Sequence, residues 1–224
     1  MKKFFLLGLL FFIPGVVAFP QNSTAYPYWS GGLAAGYNNG IGIMGNIRIS
    51  NFAEDFPISI RLAIEYSSVD PGDPNAARSI FINDATNGVP QKSGYVWDFR
   101  MDFMHRVKFF GLPKAFLYAG PRYSMFTATF DFIDGNEFFN INANQWGLGG
   151  GAETDFPISG RFAIIFNAGL DYYFLSEIYG HDTSYDPNGT IINGRKNYTY
   201  QSADNAINQP KLVLKFMMGF NYYF

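Results

Sequence analysis

The sequence of 224 residues contains no cysteine, which excludes disulfide bonds and thiolate metal sites. Charged residues are also scarce: they make up 15% of the chain, against about 25% in soluble domains. The formal net charge is only −2, so nothing predicts nucleic-acid binding. The sequence also presents no recognisable cofactor or metal motif, and we therefore expect no cofactor and no metal.

Long hydrophobic runs are lacking as well, apart from one at the N-terminus. Two lysines precede an apolar run over residues 4–13, and Pro14 and the small residue Ala18 follow it. This order is typical of a secretory signal peptide, and the run is shorter than the roughly 20 residues that a membrane-spanning helix needs. We predict that residues 1–18 are a signal peptide and that residues 19–224 form the mature domain.

Aromatic residues, in contrast, are abundant: they make up 19% of the chain, although the mean hydropathy is only −0.03. Such a chain must interleave apolar and polar residues. Alternation with period 2, which places the two kinds of side chain on opposite faces of a strand, recurs in eight segments. These segments are 29–37, 41–52, 57–68, 94–108, 115–131, 140–155, 160–175 and 211–224. They predict an all-β protein, an eight-stranded antiparallel up-and-down transmembrane β-barrel.

The connections between these segments alternate in length. Short turns that contain proline alternate with longer polar loops, of which the longest are residues 69–93 and 176–209, so the short turns should share one end of the barrel. Two of the short turns have nearly the same sequence, "EDFPISIRLA" at 54–63 and "TDFPISGRFA" at 154–163. We expect Arg61 and Arg161 to enter the polar face at equal depth. The tight "NNG" turn between the first two segments breaks the alternation.

The position of the charges indicates which face points outward. A soluble barrel with its apolar face inward is the alternative, but an eight-stranded interior is barely wide enough for its own side chains and could not hold so many bulky aromatic residues. We therefore predict an apolar face towards lipid and a network of paired charges in the lumen. The predicted lumen residues are Arg48, Arg61, Glu65, Asp98, Arg100, Asp102, Arg106, Arg122, Glu153, Arg161, Asp171 and Lys215.

The last segment, "KLVLKFMMGFNYYF", has apolar residues at every second position from Leu212 to Phe224. This ending, the signal peptide and the eight alternating strands resemble the small outer-membrane β-barrels typified by the OmpA membrane domain, OmpX and OmpW. The resemblance implies a monomer in the outer membrane of a Gram-negative bacterium, in contact with lipid, with the short turns in the periplasm and the long loops outside. It also implies that the barrel assembly machinery recognises a signal formed by Phe216, Met218, Phe220, Tyr222 and Phe224.

Function is less constrained than fold. The long loops favour a structural role or surface binding and adhesion to an extracellular ligand that the sequence does not identify. A narrow porin-like channel for small or apolar solutes is one alternative. A lipid-modifying enzyme is another, but only His105 and His181 could serve it, so we expect no enzyme. The acidic segment "DPGDPN" suits turns better than a calcium site.

Overall fold

The computed structural model describes residues 27–51, 56–82, 87–108, 111–135, 137–189 and 191–224. The predicted signal peptide lies outside the described residues, as does residue 55, the first of the first "DFPIS" copy. The described residues form eleven strands and two helices. Their bounds are β1 Tyr28–Asn38, β2 Gly40–Ser50, β3 Ile58–Val69, α1 Pro74–Phe81, β4 Val89–Val107, β5 Ala115–Ile133, β6 Glu137–Pro157, β7 Phe162–Tyr173, β8 Ile178–Tyr179, β9 Ser184–Tyr185, β10 Ile191–Ile192, α2 Tyr200–Ala206 and β11 Leu212–Tyr223.

The eight predicted strands are confirmed as β1 to β7 and β11, and they close into an antiparallel barrel. Each of the strands β1 to β6 pairs with the next along the chain, β7 pairs with β11, and β11 pairs with β1. At the seam, Ser30 of β1 lies opposite both Tyr223 and Arg48. Closure gives every barrel strand two hydrogen-bonded neighbours. The part of the chain that the structure describes contains two helices, both shorter than three turns. Neither is long and apolar enough to cross a membrane.

Large apolar side chains cover the outer surface of the barrel, and polar side chains fill its interior. Alternation along each strand produces this division: in β11 the side chains of Leu212, Leu214, Phe216 and Met218 are exposed, while those of Val213, Lys215 and Met217 are buried. The same pattern runs round the ring. Exposed examples from the other strands include Leu33, Ile47, Leu62, Phe99, Leu117, Leu148 and Phe166.

Three strands extend well beyond the barrel at the end opposite the short turns. β4, β5 and β6 contain 19, 19 and 21 residues, against 12 in β3, β7 and β11. The segment "DFIDGNEF", predicted to be a connecting loop, is mostly strand, and it turns tightly at Asp134, whose φ is 64°. Asn39 turns the predicted "NNG" hairpin in the same left-handed conformation, with φ 55°, which asparagine tolerates better than most residues.

The two "DFPIS" copies occupy different positions, so the expectation of equal depth for their arginines was wrong. Pro57 precedes β3, and Arg61 lies within that strand with its side chain fully buried. Pro157 is the last residue of β6, and Arg161 lies exposed in the turn before β7. The pairing registers of the neighbouring strands, rather than the local sequence, set where each copy begins.

The two long loops fold together into a cap. An apolar cluster joins inward-facing residues of the extended strands to both helices, and it includes Val96, Phe126, Phe130, Phe139, Ile80, Phe81, Ile178, Tyr185, Ala203 and Ile207. Backbone hydrogen bonds then tie one loop to the other: Asp73 N donates to Ala206 O at 2.9 Å and Asn208 N donates to Pro71 O at 3.1 Å. The cap is therefore an ordered body with its own core.

Candidate functional site

The barrel interior contains most of the residues predicted to form the charge network. Ten of the twelve are buried, each at most 3% exposed: Arg48, Arg61, Glu65, Asp98, Arg100, Asp102, Arg122, Glu153, Asp171 and Lys215. Arg106 and Arg161 differ from the prediction because they are exposed. Arg106 is the penultimate residue of β4, and Arg161 lies in a turn, so both are at the rim, where water solvates them.

One buried member of the network, Asp155, was missed at the sequence level. It is fully buried, and its carboxylate lies 2.7 Å from the Arg48 guanidinium. Asp155 is the last residue of the predicted strand 140–155 and also the first residue of the second "DFPIS" copy, which was predicted to form a turn. Its spacing of two residues from Glu153 on the same strand was the signal that placed both carboxylates on one face.

The buried charges form a chain in which cations and carboxylates alternate. At the end near the short turns, Arg48 bridges Asp155 at 2.7 Å and Glu153 at 3.3 Å. Arg61 then joins Glu153 to Asp102, with its Nη2 atom 2.7 Å from Asp102 Oδ2. Each arginine thus contacts two carboxylates through different nitrogens, which the planar guanidinium fork favours over the compact ammonium group of lysine.

The chain continues towards the cap. Arg122 bridges Asp102 at 2.6 Å and Asp171 at 2.9 Å, and Arg100 bridges Asp171 and Glu65, both at 2.9 Å. Lys215 Nζ ends the chain, 3.8 Å from Glu65 Oε2. Five cations and five carboxylates therefore alternate along it. This pairing offsets the cost of removing ions from water, which would be several kcal/mol for each isolated ion.

Neutral side chains fill the space beside the ions. The guanidinium of Arg61 lies 4.7 Å from the centre of the Tyr118 ring, where a cation is attracted to the face of the ring. The Tyr118 hydroxyl donates to Asn167 Oδ1 at 2.9 Å, and Asn167 Nδ2 donates to Glu153 Oε2 at 2.9 Å. Glycine makes room for the charges: a Cβ on Gly149 would lie only 1.7 Å from Asp171 Oδ1.

The cap is the second candidate site, and hydrogen bonds hold α1 in place at both ends. The segment "DPGDPN", predicted to form turns, starts this helix: Asp73 is the N-cap and accepts hydrogen bonds from the backbone N–H groups of Asn75 and Ala76. At the other end, Arg195 donates to the carbonyl oxygens of Ser79 and Ile82, the latter at 2.8 Å. A cation at this end also interacts favourably with the helix dipole.

Polar contacts continue around the rim of the cap. Lys92 Nζ donates to Asp70 Oδ1 at 2.8 Å, and this hydrogen bond, with a second one from the backbone N–H of Gly72, lowers the pKa of Asp70 below its usual value. Lys211 Nζ donates to Asp204 at 2.7 Å. Burial raises the pKa of Tyr200, whose hydroxyl lies 3.3 Å from Gln209 Nε2.

The other predicted residues lie apart from the interior. Phe216, Met218, Phe220 and Phe224 are exposed on the outer surface, while Tyr222 is half-buried and accepts a hydrogen bond from Arg161 at 3.1 Å. His105 is near the short-turn end of β4, whereas His181 is in the β7–β11 loop beside Asp182, at 2.8 Å. Within the described residues, no three acidic or histidine side chains are grouped to hold a metal ion.

Comparison with known proteins supports the architecture. No protein-family model matches the chain, and no curated protein is similar to it in sequence. Among solved structures, it is similar to the crystal structure of a major outer membrane protein from Thermus thermophilus, with 21% identity and a TM-score of 0.71. The match covers 88% of this chain and 99% of the other. At this level of identity, the similarity shows a shared fold.

Proposed function

We propose that this protein is an integral β-barrel of the outer membrane, secreted through an N-terminal signal peptide, and that it presents the cap at the cell surface. The inverted distribution of side chains carries the proposal: the outer surface is apolar around the ring, and the buried interior is ionic. A water-soluble barrel would have the opposite arrangement. The fold shared with an outer membrane protein from Thermus thermophilus supports the same location.

The test of this location is whether the mature chain folds in a bilayer or in water. We expect it to need detergent or lipid vesicles to fold, and to migrate differently in electrophoresis before and after boiling. A mature chain that is monomeric and folded in buffer without detergent would contradict the proposal. We further propose that the C-terminal strand binds the assembly machinery, so Phe224→Ala should reduce the folded fraction in cell envelopes but not in purified vesicles.

We also propose that the ion-pair chain closes the lumen, so that the barrel serves a structural or surface-binding role and does not conduct. Its support is the continuous series of contacts from Asp155 to Lys215, which crosses the interior through nine ion pairs, eight of them at no more than 3.3 Å. A narrow porin-like channel would require these side chains to leave a water-filled path between them.

Conductance across planar bilayers separates the two functions. We expect no conductance from the native protein and measurable conductance from the double variant Arg122→Ala/Asp171→Ala. This variant removes one cation and one carboxylate from the middle of the ion-pair chain without changing the net charge. The matched control is Lys92→Ala/Asp70→Ala, which removes an exposed ion pair from the rim and should stay silent. Steady conductance by the native protein would favour the channel.

For the cap, we propose binding of an extracellular ligand rather than catalysis. The ordered core and the tied loops present a fixed surface, which reduces the conformational entropy that binding would cost. The positions of the histidines give no support to a lipid-modifying enzyme, because His105 and His181 lie at opposite ends of the molecule. Substituting either histidine should leave binding to cells or matrix proteins unchanged, whereas deleting residues 176–209 should abolish it.

A further inference from the structure

Asp98 differs from the other carboxylates of the interior in that its hydrogen-bond donors are neutral. The Tyr173 hydroxyl donates to its Oδ1 atom at 2.8 Å, and Asn38 Nδ2 donates to its Oδ2 atom at 3.2 Å. Each of the other five carboxylates is within 3.3 Å of a guanidinium. Asp98 is only 3% exposed, and Glu65 lies directly opposite it on the next strand.

The charges buried in the described part of the barrel consequently do not balance. The six carboxylates are Glu65, Asp98, Asp102, Glu153, Asp155 and Asp171, and the five cations are Arg48, Arg61, Arg100, Arg122 and Lys215. The difference, six minus five, is one negative charge. An uncompensated buried charge is costly, and two carboxylates directly opposite each other on adjacent strands repel. A single positive charge near Asp98 would remove both effects.

The layer around Asp98 contains two amide oxygen atoms for which the described residues supply no hydrogen-bond donor. Ser124 lies opposite Asp98 on β5, and Gln145 lies opposite Ser124 on β6. Both side chains are fully buried, and Asn38 is 3% exposed. Among the described residues, Gln145 Oε1 and Asn38 Oδ1 accept no hydrogen bond. The nitrogen atoms of the two amides do donate, Asn38 Nδ2 to Asp98 and Gln145 Nε2 to the backbone oxygen of Phe174. Both residues belong to the same layer as the carboxylate, Gln145 through strand pairing and Asn38 through its hydrogen bond to Asp98.

We propose that this layer binds one monovalent cation, such as Na⁺ or K⁺, between Asp98 and the amide oxygens of Asn38 and Gln145. Hard cations prefer carboxylate and carbonyl oxygens, and a single charge, rather than two, brings the interior to neutrality. This inference requires only the barrel interior and does not depend on the proposed function.

The test is thermal unfolding of the folded protein in detergent, with NaCl or KCl replaced by choline chloride at constant ionic strength. We expect the midpoint to rise with Na⁺ or K⁺ concentration and to saturate, as binding to the native state alone requires, and to show no rise with choline, which is too large for the layer. Equal midpoints in all three salts would overturn the proposal. A thermal midpoint in choline chloride that rises only on acidification would also overturn it, because a proton rather than a metal cation would then neutralise Asp98.

Two variants locate the effect. Asp98→Asn should lose the dependence on Na⁺ and K⁺ while being at least as stable as the native protein in choline, because the uncompensated charge is gone. Gln145→Ala keeps the charge, removes one oxygen and should raise the half-saturating concentration about tenfold. Asp70→Asn, on the exposed rim, is the matched control and should respond like the native protein. A salt response that persists in Asp98→Asn would overturn the assignment.

Discussion

Arg61 offers the sharpest test of the ion-pair chain, because its counterpart in the repeated sequence, Arg161, lies in a different environment. Arg61→Met keeps most of the side-chain volume but removes the contacts to Asp102 and Glu153 and the cation–π contact with Tyr118. Breaking a buried ion pair from one side costs about 3–5 kcal/mol. Each of the two carboxylates keeps one other arginine, so we expect the lower end of that range, about 3 kcal/mol.

Urea unfolding in detergent measures this loss. With a slope of about 1–3 kcal/mol per molar of urea, the midpoint should fall by about 1–3 M with no change in slope. Arg161→Met is the control: its side chain is exposed and, within the part of the chain described, donates to the Tyr222 hydroxyl alone, so its midpoint should match that of the native protein. Arg61→Met/Glu153→Gln, which keeps the net charge of the native interior, should be less destabilised than the sum of its single variants. Equal midpoints for Arg61→Met and Arg161→Met would refute the reasoning.

Two further substitutions test the packing of the interior and of the cap. Gly149→Ala places a Cβ against Asp171 and should destabilise the barrel by about 1–3 kcal/mol through overpacking. The control Gly160→Ala, whose added Cβ meets no atom within 4 Å, should not change the urea midpoint. Similar urea midpoints for the two variants would refute the tight fit at Gly149. Arg195→Met removes the donor to the carbonyl oxygens of Ser79 and Ile82 at the C-terminal end of α1 and should accelerate proteolysis of the cap about tenfold, with Lys196→Met as the neutral control. Equal cleavage rates would show that Arg195 does not hold the helix.

Local sequence was sufficient for the architecture because each strand carries its own alternation. The face pattern of a strand follows from the geometry of the extended backbone, so Leu212, Leu214 and Phe216 could be assigned to one side and Lys215 to the other before any partner strand was known. The strand count and the burial of ten charged residues followed from the same rule. The hairpin at Asn39 was likewise visible, because short turns have residue preferences of their own.

The tertiary structure decided what depends on register and on contacts distant in sequence. Arg61 and Arg161 share a local sequence, yet only Arg61 enters the interior, because strand pairing fixes how far each copy advances along the barrel. The partners in the ion chain come from several different strands. Arg48 and Asp155, for example, are 107 positions apart in the sequence, so no local pattern could pair them. The cap core and the unbalanced position of Asp98 likewise arise only when distant segments meet. Alternation within one strand therefore decides which face a side chain occupies, and the pairing between strands decides which charge lies beside it.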